Sequence, residues 1–220
     1  MSQNKKFFST PSGQIIGLVC LLFASLITYY FYALSTNGVT TKPEALPSVS
    51  QEDHTRGGKA ASVTIVEYGD FQCPACSAYE KIIKEIEKKY PEDVRVTFRH
   101  FPLIQLHKNA FMAAKYSEAA GSQGKFWEMH DMLYDKQAEW GDTLDAEVRI
   151  QGYGKLLGLD GAKLQQVANS KEAEDRVIVN LKEATALKLP GTPSFFINGK
   201  KIDSKDIQVA VDDAVQSLKK

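Results

Sequence analysis

The stretch VTIVEYGDFQCPACS, residues 63–77, decides the fold of this chain. It begins with β-branched residues, which favour a strand, and it ends with two cysteines at the start of an amphipathic segment. Apolar side chains recur through that segment every three or four residues, which predicts a helix with one apolar face. The residues of this face are Tyr79, Ile82, Ile83, Ile86 and Tyr90. We therefore expect the two cysteines at the N-terminus of a helix that follows a strand.

Two cysteines at the start of a helix are suited to thiol chemistry. The first turn leaves backbone N–H groups without intrahelical partners, and the helix dipole is positive there, so a thiolate is favoured over a thiol. Pro74 suits the same turn, because the N–H that proline lacks would have had no intrahelical partner. We predict that Cys73 is the exposed nucleophile and that Cys76, one turn later, is the less accessible resolving thiol.

The overall composition is that of an ordinary folded protein. The chain has 220 residues, 43% of them hydrophobic and 25% charged, and its 27 basic residues balance its 27 acidic ones. This balance gives no electrostatic argument for nucleic acid, and we predict no nucleic-acid partner. The chain has three cysteines, which is too few for a structural disulfide framework. A disulfide between Cys73 and Cys76 would close a very small ring and add little stability.

Zinc binding is the alternative role for the two cysteines. A structural zinc ion needs about four nitrogen or sulfur ligands. Three histidines, His100, His107 and His130, would have to complete such a site. Each is more simply explained as a structural or surface residue, so we predict no metal and no cofactor other than the cysteine pair itself.

The N-terminal region predicts a membrane anchor. Residues 1–12 are polar and include two lysines, whereas residues 13–35 carry no charge. About 20 apolar residues span a bilayer, and preceding lysines place the N-terminus in the cytoplasm. We predict a single-pass transmembrane signal anchor at 13–35 in the cell membrane, with the remaining chain extracytoplasmic. A cleavable signal peptide is the alternative, because Ala33-Leu34-Ser35 resembles a cleavage site, but its apolar region would be longer than usual.

Residues 36–58 read as a connection between the anchor and a folded domain. They contain prolines, glycines and many serines and threonines without apolar periodicity, which predicts a flexible linker. His54 lies in this segment, and we expect its side chain to be solvated. The folded domain is then expected at residues 59–220.

Within that domain, the residues VRVTF at 94–98 alternate apolar and polar side chains and predict a second strand. The following region, about 107–189, is rich in alanine and repeats apolar residues at helical spacing. We expect it to be a block of several helices.

The last part of the chain predicts a hairpin and a helix. The residues SFFI at 194–197 and KKI at 200–202 are separated by Asn198-Gly199, a strong signal for a tight hairpin turn. A final amphipathic helix follows, with Ser204 as its expected N-cap. The apolar face of this helix comprises Ile207, Val211, Val215 and Leu218.

This order of elements resembles an α/β fold of the thioredoxin type, with a helical insertion between the second strand and the proline-led hairpin and one transmembrane helix before the domain. Over roughly residues 59–220 the chain is similar to the DsbA family of exported thiol-disulfide oxidoreductases. The resemblance rests on four motifs: EYGDFQCPAC at 67–76, RHFPL at 99–103, GKFWEMH at 124–130 and GTPSF at 191–195.

The resemblance implies a role for Glu67. This residue lies six positions before Cys73, where the family carries an acidic residue near the disulfide. There it would exchange protons with Cys76, and burial would raise its pKa into a useful range. On the residues alone, Glu67 is equally well read as a surface side chain at the end of a strand.

The resemblance also implies a substrate-binding surface. The matching proline, Pro193, is cis in this fold and faces the cysteines, which leaves the backbone of Thr192 free to pair with an extended substrate. Pro74 and Ala75 lie between the cysteines and complete this surface. Ala75 departs from the most oxidising members of the family, which carry a histidine there, because an alanine side chain cannot stabilise the Cys73 thiolate.

The function that the resemblance implies is the introduction of disulfides into exported proteins by a monomeric, membrane-anchored enzyme. Its partners would be reduced or unfolded exported polypeptides and a quinone-linked membrane oxidase of the DsbB or vitamin K epoxide reductase type. One alternative keeps the fold and reverses the electron flow, giving a disulfide reductase or isomerase. Another is a membrane-anchored chaperone or binding module without enzymatic activity.

Overall fold

The computed structural model describes residues 21–30, 46 and 48–218. The chain divides into two compact units, residues 1–43 and 44–220. In the first unit, residues 21–30 are helical. No helix among the described residues is long and apolar enough to cross a membrane. The rest of the predicted anchor at 13–35, and all of the predicted cytoplasmic segment at 1–12, lie outside the described residues.

The second unit is built on a five-stranded mixed sheet with the strand order β1-β3-β2-β4-β5. The strands are β1 (His54–Gly57), β2 (Val63–Gly69), β3 (Val94–His100), β4 (Ser194–Ile197) and β5 (Lys200–Ile202). The central strand β2 runs parallel to β3 and antiparallel to β4. The strand that leads into the two cysteines is therefore covered on both edges.

The helices of this unit confirm the predicted α/β organisation. Helix α1 (Pro74–Lys89) connects β2 to β3, and helix α8 (Ile207–Ser217) closes the chain. The expected helical insertion lies between β3 and β4. Its helices are α2 (Ala110–Gly121), α3 (Phe126–Asp135), α4 (Gln137–Trp140), α5 (Ala146–Leu156), α6 (Gly161–Ala168) and α7 (Lys171–Ala186).

Helix α1 packs on the sheet through a face that differs in part from the predicted one. Ile83 and Ile86 are fully buried in the core that contains β2 and β3, and burial of each such side chain contributes about 1.5–3 kcal/mol. Ile82 was expected on this face but is 37% exposed, whereas Glu80 is 2% exposed. A carboxylate is tolerated at that buried position because the Arg56 guanidinium donates to Glu80 at 2.8 Å.

The predicted hairpin is confirmed residue by residue. Its turn residues Asn198 and Gly199 both have positive φ angles, 47° and 82°, as a two-residue type I′ turn requires. The Asn198 side chain accepts a hydrogen bond from the Thr64 N–H at 2.8 Å, which ties the turn to β2.

The final helix forms as expected, but with a different start. Ile207, Val211 and Val215 are buried, whereas Leu218 is exposed. Ser204 is not an N-cap, because it begins a 3₁₀ turn, Ser204–Asp206, that precedes the helix. Its hydroxyl instead donates to the carbonyl oxygen of Pro193 at 3.1 Å.

The predicted linker at 36–58 is wrong at its C-terminal end, where the structure has the edge strand β1. Arg56 of this strand donates to Glu80, Glu87 and Asp131, each at 2.8 Å, and its guanidinium lies 4.2 Å from the centre of the Trp127 ring. These long-range contacts hold the strand against α1 and α3. The ordered unit therefore begins before residue 59.

The expectation that His54 is solvated is also wrong. Its ring stacks on Phe126 with a centroid distance of 3.4 Å, and its Nε2 lies 2.9 Å from a Glu118 carboxylate oxygen. The same Glu118 oxygen lies 2.8 Å from His100 Nε2. His54 thus joins β1 to the helical insertion.

Candidate active site

The loop that delivers the cysteines is fixed by the buried side chain of Asp70. One carboxylate oxygen of Asp70 accepts from the backbone N–H of Gln72 at 2.7 Å, and the other accepts from the N–H of Leu103 at 2.8 Å and lies 2.7 Å from His107 Nδ1. Asp70 therefore joins the end of β2 to the loop after β3. Sequence reasoning missed this residue, although its position at the end of the strand was visible.

A second side chain holds Cys73 from the helical insertion. The Gln137 amide donates to the carbonyl oxygens of Phe71 and Cys73, at 2.8 and 2.9 Å. Asp70 and Gln137 together restrain the backbone of the first cysteine from two sides. The geometry of the cysteine pair is thus set by the β2–α1 junction and by α4.

The two cysteines differ in depth. Cys73 is the N-cap residue of α1 and is 7% exposed, whereas Cys76, in the first turn, is fully buried. Both are free thiols, so the structure is that of the reduced dithiol. Pro74 and Ala75 are exposed between them. An incoming group therefore reaches the pair from the side of Cys73.

The surroundings of Cys73 favour its thiolate. A hydrogen bond from the Cys76 thiol lowers the pKa of Cys73 to about 5, against the opposing effect of burial. Thr192 and the backbone N–H groups of Cys76 and Ala75 lower it further. The side chain of Ala75 is unable to stabilise a thiolate, as expected, but its backbone N–H does so.

The pKa of Cys76 is shifted in the opposite direction. Burial raises the pKa of this thiol well above its ordinary value, and both the hydrogen bond to Cys73 and the charge of Glu67 raise it further. The pair therefore holds one thiolate and one thiol near neutral pH. This asymmetry is what a nucleophile and a resolving thiol require.

Glu67 lies on the central strand β2 and is 1% exposed. Burial raises the pKa of its carboxyl well above the ordinary value, with Glu80 and Cys73 acting in the same direction and Arg56 opposing. Its Oε1 has no hydrogen-bond partner among the described residues. The structure thus places a buried carboxyl in the electrostatic environment of Cys76, rather than a surface side chain at a strand end.

The Thr192-Pro193 peptide bond is cis, and it lies beside the cysteines. The Cys73 sulfur lies 3.5 Å from the carbonyl oxygen of Thr192, to which it donates in its thiol form. The Thr192 hydroxyl is buried, and no other described residue is its partner in this arrangement, so it is available to donate to the Cys73 thiolate. The structure therefore brings together the cysteine pair, Thr192 and Pro193, as the resemblance implied.

The three histidines considered for zinc contact three different carboxylates. His100 pairs with Glu118, His107 with Asp70 and His130 with Asp131. A group with metal-ligand spacing does occur among the described residues, formed by Glu80, His130 and Asp131, whose ligand atoms lie within 4.8 Å of one another. Its two carboxylates already bind the Arg56 guanidinium, so the cation at this place is the protein's own side chain.

A cavity of about 720 Å³ lies near β1 and helices α2 and α7, and neither cysteine lines it. Both arginines that line it bind carboxylates of the same lining. The buried Arg99 binds Asp53 at 2.9 Å, and Arg176 binds Glu118 at 2.8 Å. We therefore do not assign it to the candidate active site.

With this geometry established, comparison with known proteins decides the family. The family model described as thioredoxin matches residues 49–216. The chain belongs to the thioredoxin family. The match begins ten residues before the domain boundary that we expected at residue 59, in agreement with the ordered strand β1.

Solved structures with the same fold are DsbA-like and BdbD-like proteins. BdbD from Bacillus subtilis superimposes with a TM-score of 0.69 at 22% identity, covering 78% of this chain and 97% of that one. The α-DsbA1 protein of Wolbachia pipientis gives a TM-score of 0.67 at 21% identity, with 78% and 94% covered. A thioredoxin-like oxidoreductase from Silicibacter pomeroyi gives 0.64 at 26% identity, with 76% and 94% covered. The fold that the resemblance implied is confirmed.

Curated relatives of this thioredoxin-family chain include a much longer protein. The Na⁺/H⁺ antiporter NhaA 1 of Salinispora arenicola is 34% identical over 197 residues, which cover 84% of this chain and 29% of the antiporter. The chain thus spans less than a third of the length of that relative. The name of this relative assigns transport to the whole antiporter, whereas only a part of the antiporter is similar to this chain.

The opposite pKa shifts of the two cysteines predict selective alkylation. In the reduced protein, the rate of alkylation of Cys73 by iodoacetamide should rise with pH around a midpoint near 5, because the thiolate is the reacting form. Cys76 should stay unmodified up to pH 8, which mass spectrometry of the digested protein measures. The unfolded chain is the control, in which both thiols should react with ordinary midpoints, about 8.5. A Cys73 midpoint near 8.5 in the folded protein would contradict the site described above.

Proposed function

We propose that this chain is an extracytoplasmic thiol-disulfide oxidoreductase that oxidises substrate thiols to disulfides through the Cys73–Cys76 pair. The observation that carries the proposal is the contrast between the two sulfurs. Cys73 lies at the surface end of the helix with a lowered pKa, and Cys76 is fully buried with a raised pKa. The neighbour from Silicibacter pomeroyi, a thioredoxin-like oxidoreductase of the same fold, adds support.

The reaction consists of two exchanges. A substrate thiolate attacks the Cys73 sulfur of the disulfide, the Cys73–Cys76 bond breaks, and its electron pair goes to the Cys76 sulfur, which takes up a proton. A second substrate thiolate then attacks the substrate sulfur of the mixed disulfide, and Cys73 leaves as a thiolate. The substrate gains one disulfide, and the enzyme is reduced by two electrons to the dithiol.

The lowered pKa of Cys73 favours this direction. A stabilised thiolate stabilises the reduced form of the pair relative to its disulfide, which makes the disulfide a stronger oxidant. At neutral pH the thiolate of Cys73 is also a good leaving group in the second exchange. These features support an oxidase over a reductase of the same fold. The different pKa shifts of the two thiols support an enzyme of either kind over a non-enzymatic chaperone or binding module.

Two classes of partner follow from the proposal. The substrates are reduced or unfolded exported polypeptides, which would pair in an extended conformation with the backbone beside Thr192. The dithiol left after each turnover must be reoxidised, and we propose a quinone-linked membrane oxidase of the DsbB or vitamin K epoxide reductase type for this step. The enzyme acts as a monomer and needs no metal or organic cofactor in this scheme.

The location outside the cytoplasm rests on the sequence of residues 13–35. We propose that this uncharged segment is a signal anchor that holds the chain in the cell membrane with its N-terminus inside. Disulfides persist on the outer side, where the proposed reaction is useful.

The full chain is therefore expected to remain in the membrane fraction after alkaline carbonate extraction, because about 20 apolar residues hold it in the lipid. Immunoblotting of the two fractions measures the distribution. A variant that lacks residues 1–35 serves as the control and should appear in the soluble fraction. Complete release of the full chain by carbonate would contradict the anchor.

The catalytic proposal predicts a sharp loss of activity in single-cysteine variants. The oxidised wild-type protein should convert a reduced, unfolded polypeptide to its disulfide form. The loss of free thiols measures this conversion. Cys73→Ser and Cys76→Ser should each reduce the rate to the uncatalysed level, because neither can form the disulfide. With a polypeptide that already carries a disulfide, the Cys73 thiolate of Cys76→Ser should attack that bond, release one substrate thiol and retain a mixed disulfide that gel electrophoresis detects. Unchanged activity of Cys73→Ser would refute the enzyme assignment. Net loss of disulfides from an oxidised polypeptide under the same buffer would favour a reductase instead.

A further inference from the structure

We propose that Tyr134 is a positioning residue for proton transfer at the cysteine pair. When Glu67 has given its proton to Cys76, a carboxylate remains, and the buried hydroxyl of Tyr134 donates a hydrogen bond to it. This inference rests on the proposed function, since it concerns the proton that Cys76 takes up when the disulfide is reduced. No sequence pattern pointed to Tyr134, which lies in the helical insertion, 58 residues after Cys76.

The backbone of Tyr134 lies beside the first turn of α1. Its carbonyl oxygen accepts from the hydroxyl of Ser77, the residue after Cys76, at 3.3 Å. Its ring packs against Phe71 with a centroid distance of 5.1 Å and against His130 at 5.0 Å. Tyr134 and both cysteines belong to the same buried cluster. The position of the ring is thus fixed on several sides.

The hydroxyl of Tyr134 reaches the face of β2 that carries Glu67. A Cβ atom built on Gly69 would lie 2.9 Å from the Tyr134 hydroxyl oxygen. Side chains two residues apart on a strand point to the same face, so Glu67 and the missing side chain of Gly69 share one face of β2. Glycine at position 69 leaves the space that the Phe98 ring and the Tyr134 hydroxyl share.

Two buried polar groups on this face lack partners. The Tyr134 hydroxyl and Glu67 Oε1 are both buried, and neither has a hydrogen-bond partner among residues 46 and 48–218. An unpaired buried donor and an unpaired buried acceptor each cost free energy. A hydrogen bond between them, direct or through one buried water molecule, satisfies both at once.

The phenol of Tyr134 is suited to donate a hydrogen bond rather than to release its proton. Burial raises the pKa of Tyr134 well above its ordinary value, and the charges of Cys76 and Glu67 are the next largest causes. The hydroxyl therefore keeps its proton throughout the reaction, and the charges that most affect it are those of the two groups that exchange a proton.

When a substrate thiolate forms a bond to Cys73, the Cys73–Cys76 bond breaks and the Cys76 sulfur receives its electron pair. The Glu67 carboxyl gives its proton to that sulfur, which produces a buried thiol and a buried carboxylate. The Tyr134 O–H donates to the carboxylate and compensates for its loss of solvation. Glu67 then regains a proton from solvent, so reduction of the pair takes up one proton in total, and reoxidation reverses these steps.

The test compares Tyr134→Phe, which keeps the ring, with Tyr116→Phe as the matched control. Tyr116 is also buried in the helical insertion, but its hydroxyl donates to Glu147 at 2.7 Å, outside the site. The ionisation of Glu67 in the reduced protein is followed by the ¹³C shift of its carboxyl carbon as a function of pH. Tyr134→Phe should raise the Glu67 midpoint by about one pH unit, a tenfold change in proton affinity, and Tyr116→Phe should leave it unchanged.

Kinetics give a second readout. Reduction of the disulfide by a substrate dithiol should be about tenfold slower in Tyr134→Phe, whereas in a Glu67→Gln background the same substitution should have no further effect. A Glu67 midpoint unchanged by Tyr134→Phe, or equal effects in both backgrounds, would overturn the proposal. Absence of exchange activity in the wild type would instead refute the proposed function, while the Glu67 titration would still decide the role of Tyr134.

A measurement on the wild-type chain covers the case in which Tyr134→Phe does not fold. The ¹³C shift of the Tyr134 Cζ atom should change with pH at the same midpoint as the Glu67 carboxyl, because a hydrogen bond to a carboxylate differs from one to a carboxylic acid. A Cζ shift that does not change across the Glu67 titration would contradict the hydrogen bond.

Discussion

The complete burial of the Cys76 sulfur is the constraint on which the rest of the site depends. A thiolate in that position would be poorly solvated, so Cys76 stays protonated and donates its hydrogen bond to the Cys73 sulfur. The charge therefore lies on Cys73, where backbone N–H groups at the start of α1 add to its stabilisation. One desolvated atom thus assigns different roles to two chemically identical side chains.

The same burial requires a way to supply and remove a proton. Cys76 has no direct access to water, and we propose that the buried carboxyl of Glu67 on β2 exchanges a proton with it. The sheet order contributes to this burial, because β2 is the central strand and Glu67 therefore lies away from both edges of the sheet. Beyond Glu67, burial raises the pKa of Glu80 to about 7, with Arg56 opposing, so the site adjoins a second carboxyl that titrates near neutrality.

Sequence patterns predicted the parts of this fold that local interactions determine. The helix after CxxC and the Asn198-Gly199 turn follow from residue types at neighbouring positions, and both occur as expected. Strand β1 was missed because the sequence HTRG has no apolar alternation, and the strand is held by the ion pairs of Arg56 with residues far along the chain. Tyr134 was missed for the same reason, since its importance comes from the tertiary contact of its hydroxyl with the face of β2 near Gly69. The exposed Ile82 and the buried Glu80 show a related limit: a period of three to four residues locates a helix, but an arginine from another strand decided which side chain was buried.

The central claim is that the reduced pair holds one thiolate and one thiol near neutral pH. The most direct test is the equilibrium between the disulfide and dithiol forms in a glutathione buffer, measured from pH 6 to pH 8. If Cys73 is ionised and Cys76 is not, reduction takes up one proton for two electrons, and the reduction potential should fall by about 30 mV for each pH unit. A fall of about 59 mV for each pH unit would mean that both sulfurs bind protons in the reduced protein, which would contradict the account.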